Sequence, residues 1–250
     1  MAAAPATPDL SGQSALVTGG SRGIGLAIAE ALLAAGAGVV ITGRDQSHLD
    51  AARTRLGGAD PALAERLHVV RADVRNSGAA AAAVAAAVER FGGLDVLINN
   101  AGVGIFGNVA EMDESSWNDV IATNLTGVFS FCRAAIPPLR TRGGWIINIS
   151  SLAGQNPFAG GAAYCASKAG LNAFTEALMH EVRHDNIRVS CILPGSVATS
   201  FSRGTSPGGP PADWKLAAED VARAVLDLLG YPARSLPSRL ELRPSRPARR

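Results

Sequence analysis

Short, mainly apolar runs of β type alternate along this chain with longer stretches whose apolar residues recur at helical spacing. Residues 15–18 form the first short run. Residues 24–35 follow with Ile24, Ile28 and Leu32 on one face, and Gly36 and Gly38 end that helix. The strand pattern returns at 39–42, 67–70, 95–98, 145–149 and 188–193. Helical patterns cover 49–56, 78–91, 115–136, 163–184 and 219–229. Ser77 is placed to cap the 78–91 helix, whose Val84, Val88 and Phe91 share a face. Pro137-Pro138 is expected to stop the 115–136 helix. Residues 239–243 predict a seventh strand. Strands apolar on both faces and separated by helices predict an α/β fold, with a doubly wound, mostly parallel seven-stranded sheet covered on both sides.

No linker divides the chain before Ser202, so residues 1–250 read as one domain. A Gly/Pro-rich segment at about 200–213 reads as a flexible substrate loop. A basic Pro/Arg-rich tail spans about 234–250, with six Arg against one Glu, although the whole chain is only +2. Such a tail can bind nucleic acid. Its prolines and strand pattern favour a packed or solvated tail, and no nucleic-acid partner is expected. At 47% hydrophobic and 18% charged the chain can bury a large core. No apolar run predicts a membrane span, and residues 1–7 lack the basic-then-apolar order of a secretory signal. Cys132, Cys165 and Cys191 are odd in number and at no metal-ligand spacing, so no metal site is expected. Reduced thiols fit a cytoplasmic location. Cys165 has no His near it in sequence and reads as a packing residue.

The chain has two tyrosines and two lysines, and one of each, Tyr164 and Lys168, stand one helical turn apart. A phenol beside a compact ammonium is a tunable proton donor or acceptor. Thr18-Gly-Gly-Ser-Arg-Gly-Ile-Gly25 joins the first strand to the first helix. Glycines there let the backbone approach a pyrophosphate, and the helix N-terminus offers free N–H groups. No Lys-Ser/Thr follows, which excludes an ATP-binding P-loop. At the end of the second strand, Arg44 stands where an acidic residue would hold the adenosine ribose of NAD. Arg44 and Arg22 suit the 2′-phosphate of NADP. Asp45 comes one position late and reads as a helix cap.

The glycine turn, Asn99-Asn100-Ala101-Gly102 after the fourth strand, Ser151 and Tyr164-x-x-x-Lys168 together resemble the short-chain dehydrogenase/reductase family, over about residues 10–229. The form of the glycine turn and the chain length resemble its reductase branch of ~250 residues, such as the 3-oxoacyl carrier-protein reductases. The resemblance implies a Rossmann-type fold and a catalytic set of Asn124, Ser151, Tyr164 and Lys168. In it, Tyr164 exchanges a proton with the substrate oxygen, Ser151 holds that oxygen, and Lys168 lowers the phenol pKa and binds the nicotinamide ribose. Asn124 holds a water in a relay to Lys168. The implied cofactor contacts are Gly19, Ser21, Arg22, Gly23, Ile24 and Gly25 in the turn, Arg44, and Asp73 with Val74 at the adenine. Asn100, Ala101, Gly102, Tyr164 and Lys168 follow the cofactor to its ribose. Pro194, Gly195, Val197 and Thr199 hold the carboxamide. The C-terminal segment 236–244 departs from the family's usual ending. Gln155, Phe158, Phe201 and Trp214 are candidates for pocket lining. A homo-oligomer, dimer or tetramer, is implied through the two long helices and the last strand.

The expected activity is hydride transfer between NADP(H) and a small ketone, aldehyde, 3-oxoacyl or secondary-alcohol substrate. The alternatives are an NAD-dependent alcohol dehydrogenase and a non-enzymatic NADP(H)-sensing regulator on the same fold.

Overall fold

The mainly apolar runs form strands, and those at the centre of the sheet find a buried face on either side for their alternating side chains. In the computed structural model, which describes residues 7–58, 60–199, 201 and 213–247, all seven lie in one sheet. They are β1 (Ser14–Val17), β2 (Gly38–Gly43), β3 (Leu67–Arg71), β4 (Val96–Asn99), β5 (Gly144–Ile149), β6 (Ile187–Pro194) and β7 (Arg239–Leu242). The order is β3-β2-β1-β4-β5-β6-β7 and every pairing is parallel. Parallel neighbours need crossovers, which the helices supply.

The helices are α1 (Gly23–Ala34), α2 (Gln46–Gly57), α3 (Pro61–Arg66), α4 (Ser77–Phe91), α5 (Glu114–Ile121), α6 (Gly127–Arg142), α7 (Ala162–Val182) and α8 (Ala218–Leu229). On one sheet face Ala15, Val17, Val39, Ile41 and Ile98 pack with Ile28, Leu32, Leu49 and Val225 of α1, α2 and α8. On the other, Leu16, Val40, Leu97 and Ile146 pack with Val84, Phe131 and Leu171 of α4, α6 and α7. The register, with Ala15 opposite both Val39 and Val96, keeps each apolar set on its own face.

Three local expectations are corrected. Asn76, not Ser77, caps α4: its side chain accepts from the Gly78 and Ala79 amides, and Ser77 is the first helical residue. Pro137-Pro138 does not stop the long helix, which continues to Arg142. Each internal proline costs about 3 kcal/mol. The turn beyond them is held by Leu139, fully buried, by an Arg140–Asp185 ion pair at 2.7 Å, and by Arg142 donating to the Gly92 carbonyl at 2.8 Å. Between α5 and α6, residues Ala122–Thr126 form a π-helical turn, so Glu114–Arg142 is one continuous helical run of 29 residues. It is long and apolar enough, by length and composition, to cross a membrane, contrary to the reading of the apolar runs. Half of its most apolar window is buried within the protein.

The C-terminal segment keeps its predicted strand. β7 lies beside β6 with Cys191 opposite Arg239 and Pro194 opposite Leu242. The expected loop at 200–213 lies outside the described residues apart from Phe201 and Asp213.

Candidate active site

Strand order reverses at β1, which has β2 on one side and β4 on the other. In doubly wound sheets the crevice at the carboxyl ends of such strands is where ligands bind. The glycine turn leaves β1 there. Gly19 has φ 64°, and its space is closed by Ala101, whose Cα would lie 3.0 Å from an added Cβ. A Cβ on Gly25 would collide with the Gly19 carbonyl and the Asn100 amide. The Asn100 side chain donates to the Thr18 and Gly19 carbonyls at 3.0 and 3.2 Å, and Thr18 Oγ1 accepts from the Asn100 and Ala101 amides. The Asn-Ala-Gly segment therefore fixes the turn. Gly23 lies against Thr199, 3.4 Å from an added Cβ. Helix α1 begins after Arg22 with no side-chain cap and no acid in its first turn, so its positive end is unopposed.

Ser21 reaches the end of β2, where its Oγ would lie 3.1 Å from a Cβ on Gly43. Arg44 follows, exposed. Arg71 is a third guanidinium here: it pairs in register with Gly43, and its Nε donates to the Arg44 carbonyl at 3.1 Å. Sequence reasoning missed it, although the parallel register of β2 and β3 places it there. Asp45 caps α2, accepting from the His48 amide and the Ser47 hydroxyl. Asp73 is gripped by Arg75 through contacts of 2.7 to 3.1 Å, and Arg75 also holds Asp119 of α5 at 2.6 Å. The Arg75 hydrogen bond keeps the Asp73 carboxyl below its ordinary range. Val74 is buried where α6 starts, close against Gly127.

At the other end of the crevice, β5 delivers Ser150 and Ser151, and α7 delivers Tyr164 and Lys168. Ser150 is spent on the scaffold: its hydroxyl donates to Asn172 Oδ1 at 2.6 Å and to the Lys168 carbonyl at 3.3 Å. Ser151 caps the short turn Leu152–Gly154, accepting from the Ala153 amide at 3.1 Å, and its side chain stands beside the Tyr164 hydroxyl. Burial raises the Tyr164 hydroxyl above an ordinary phenol, and Ser151 opposes this. Lys168 is buried, and its Nζ donates to the Ile149 carbonyl at 2.9 Å. Burial pulls it down to about 8. Its Nζ lies 5.9 Å from the centre of the Tyr164 ring. The expected lowering of the phenol by Lys168 is not seen, because the ammonium is turned to Ile149 and burial dominates.

Asn124 sits in the π-helical turn, where the Gly127 amide reaches back five residues to the Ala122 carbonyl. Such turns re-aim side chains and recur at functional sites. Fully buried, Asn124 donates to the Val103 carbonyl and Ser167 Oγ at 3.0 Å each, and accepts from the Val103 amide at 2.8 Å. Its side chain is thus a clamp on the segment after β4. Gly102 lies between these groups: a Cβ there would be 3.3 Å from Asn124 Oδ1 and 3.8 Å from Lys168 Nζ. Residues Pro194 to Thr199 are held by the Gly195 amide donating to the Leu242 carbonyl at 2.7 Å, and by Val197 and Ala198 pairing with Leu216.

Rings surround the phenol. Phe106 stands edge-on to Tyr164 with centroids 5.6 Å apart, and Phe201 is 5.8 Å away on a tilt. Phe158 lies tilted against Phe106 with ring centroids 5.8 Å apart. Of the lining candidates, Phe158 and Phe201 join this cluster. Gln155 instead lies beside Glu241, whose carboxyl it helps to lower after Arg243, and the Trp214 ring lies beneath the Lys215 ammonium at 5.9 Å. Phe106 was not anticipated. Its signal is a lone aromatic between Gly104 and Gly107, just after Asn-Ala-Gly.

Residues 13–208 match the family model described as short chain dehydrogenase. The chain belongs to the short-chain dehydrogenase family, an oxidoreductase family. It is 42% identical to trans-4-hydroxycyclohexanecarboxylate dehydrogenase of Sinomonas cyclohexanicum over 78% of this chain and 76% of that protein. It is 35% identical to the 3-oxoacyl-[acyl-carrier-protein] reductase FabG of Chlamydia muridarum over 86% of this chain and 89% of that protein. Among solved structures it resembles an alcohol dehydrogenase from Thermococcus sibiricus complexed with 5-hydroxy-NADP, with a TM-score of 0.85 and 29% identity, covering 95% of this chain and 99% of that one. A metagenomic short-chain oxidoreductase in complex with NADP matches with a TM-score of 0.79 and 38% identity over the same shares.

Proposed function

We propose that this protein reduces a small ketone or aldehyde with NADPH, and oxidises the alcohol in reverse, with Tyr164 exchanging the proton. One observation carries this reading: the glycine turn, Gly102, Lys168, Ser151 and Tyr164 line one crevice at the reversal of strand order. The cradle fits a dinucleotide. Gly19 and Gly25 let the turn close against Ala101 and the Asn100 side chain, the N-terminus of α1 is uncapped, and Arg22, Arg44 and Arg71 offer guanidinium groups to the 2′-phosphate of the adenosine ribose. When bound, the cofactor supplies or takes up the hydride.

The chain's own residues do the rest. Gly19, Ser21, Gly23, Ile24 and Gly25 offer backbone to the pyrophosphate. Asp73, fixed by Arg75, and the backbone at Val74 meet the adenine. Asn100 to Gly102 form the floor, and Pro194, Gly195, Val197 and Thr199 meet the carboxamide. Ser151 orients the substrate oxygen, and Tyr164 gives it a proton as the carbonyl carbon gains the hydride. The protonated phenol is the donor that reduction needs, and its phenolate is the acceptor that oxidation needs. Lys168 holds the ribose and returns a proton to the phenolate. With the Asn124 side chain engaged by Val103 and Ser167, residue 124 can serve a proton relay only through its backbone in the widened turn.

Arg44→Ala is expected to lower the preference for NADPH over NADH roughly tenfold or more, read as the ratio of kcat/KM values. An unchanged ratio would show that Arg44 does not read the phosphate. Copies of the chain are expected to associate through α6 and α7, where half-exposed Phe129 stands edge-on to Phe174 at 6.5 Å. Light scattering should report two or four chains, and Phe129→Arg should shift the mass towards one; a wild-type monomer would refute this.

A further inference from the structure

Phe106 and Phe158 come from different connections, the one after β4 and the one before α7, yet they are built as one wall. The Gly107 amide donates to the Gly160 carbonyl at 2.8 Å, tying the two connections together. Space for the rings comes from glycine. A Cβ on Gly104 would lie 2.9 Å from both the Phe106 and Phe201 rings, and one on Gly161 would lie 2.6 Å from the Phe158 ring. A side chain at either position would push the rings from their places around Tyr164. The result is a half-buried phenol bordered by rings that remain open to solvent, with Phe106 39%, Phe201 40% and Phe158 49% exposed.

Large rings left half open beside a reactive hydroxyl are apolar surface awaiting cover. Their chemistry selects what covers them. The Lys168 ammonium is buried behind Tyr164, 5.9 Å from its ring centre, and donates to the Ile149 carbonyl. Aromatic faces and edges reward a flat or six-membered apolar group, an aromatic partner beyond its area burial alone. They offer no charge-assisted bond to an anionic arm.

Building on the oxidoreductase reading, we infer that the substrate carries its reacting carbonyl in, or directly beside, an apolar ring, as in a cycloalkanone or aryl ketone, and that Phe106 and Phe158 select that ring. An extended thioester borne on a phosphate-containing arm is the disfavoured class.

The test is NADPH oxidation by the full chain with cyclohexanone, acetophenone, 2-butanone and acetoacetyl-coenzyme A. The ring ketones are expected to exceed the other two at least about tenfold in kcat/KM, the scale of hydrophobic pocket discrimination. Phe106→Ala and Phe158→Ala are each expected to lower the ratio of acetophenone to 2-butanone about tenfold, mainly through KM. Phe158 is the more exposed, so its variant keeps the test open if Phe106→Ala fails to fold. Ring ketones no better than 2-butanone or the thioester, or ratios unchanged in folded variants, would overturn the inference while leaving the oxidoreductase reading intact. Turnover of none of the four would overturn both.

Discussion

Tyr164→Phe is expected to lower carbonyl-dependent NADPH oxidation roughly 10²–10⁴-fold, the usual contribution of a positioned general acid. The substitution removes one oxygen and keeps the ring, so the edge contact with Phe106 and the tilted contact with Phe201 survive. Fold and cofactor affinity should therefore stay close to wild type, and calorimetric titration with NADPH checks this. The loss should fall on kcat as well as kcat/KM, because the proton is needed only as charge develops on the substrate oxygen. The pH profile is a second readout. Burial raises the phenol pKa, so the donor form persists through neutral pH and reduction declines only on the alkaline side. A variant retaining a large fraction of wild-type activity would assign the proton to another group.

Lys168→Met is expected to lower turnover by roughly two to three orders of magnitude, the scale seen when one preorganised electrostatic donor is removed. It also has a signature in stability that needs no substrate. Burial pulls Lys168 from 10.5 down to about 8. The folded chain therefore gives up this proton more readily than the unfolded chain. Below about pH 8 the buried ammonium costs the fold its full penalty, about 3 kcal/mol for a displacement of that size. The penalty is relieved as pH rises from about 8 towards 10.5, where both states are losing the proton. Measured by urea unfolding without cofactor, wild type should gain stability over Lys168→Met between pH 7 and pH 10. The packing of the stem affects only the offset between the two proteins, whereas the bond to the Ile149 carbonyl favours the ammonium and makes the slope shallower without reversing it. A difference that does not change with pH would mean that Lys168 keeps its ordinary proton affinity.

The parts of the fold that were legible in the sequence are those where one physical demand dominates. β1, β2 and β4 are buried along their whole length, so their residues are apolar or small apart from Asn99 and could be read directly. The glycine turn was legible because Gly19 and Gly25 answer steric demands that few other residues meet. What was not legible depends on neighbours distant in sequence. Helix α6 runs through two prolines because Leu139, Arg140 and Arg142 are held from outside it. Asn76 and Ser77 are both good caps, and only the path into α4 decides between them. Helix α3 did carry a local signal, Asp60 capping and Pro61 at the first position, but its six residues are too short to show a period.

The candidate site divides in the same way. Tyr164, Lys168 and the glycine turn could be named from spacing, and Ser151 from the resemblance they support. The direction of the Lys168 ammonium, the Val103 clamp on Asn124 and the ring wall at Phe106 could not. The π-helical turn that aims Asn124 adds no period of its own to the pattern. Arg71 joins Arg44 only through the β2–β3 register, a tertiary fact.

The most direct test of the central claim follows the hydride itself. Wild-type protein is incubated with NADPH deuterated at C4 of the nicotinamide, using each stereoisomer in turn, and a ring ketone. The alcohol product is then examined by mass spectrometry and NMR. The account predicts that one stereoisomer places a single deuterium on the carbinol carbon, and that Tyr164→Phe, still binding NADPH, forms almost no alcohol. Binding of NADPH with no alcohol formed, or alcohol formed equally well by Tyr164→Phe, would contradict it.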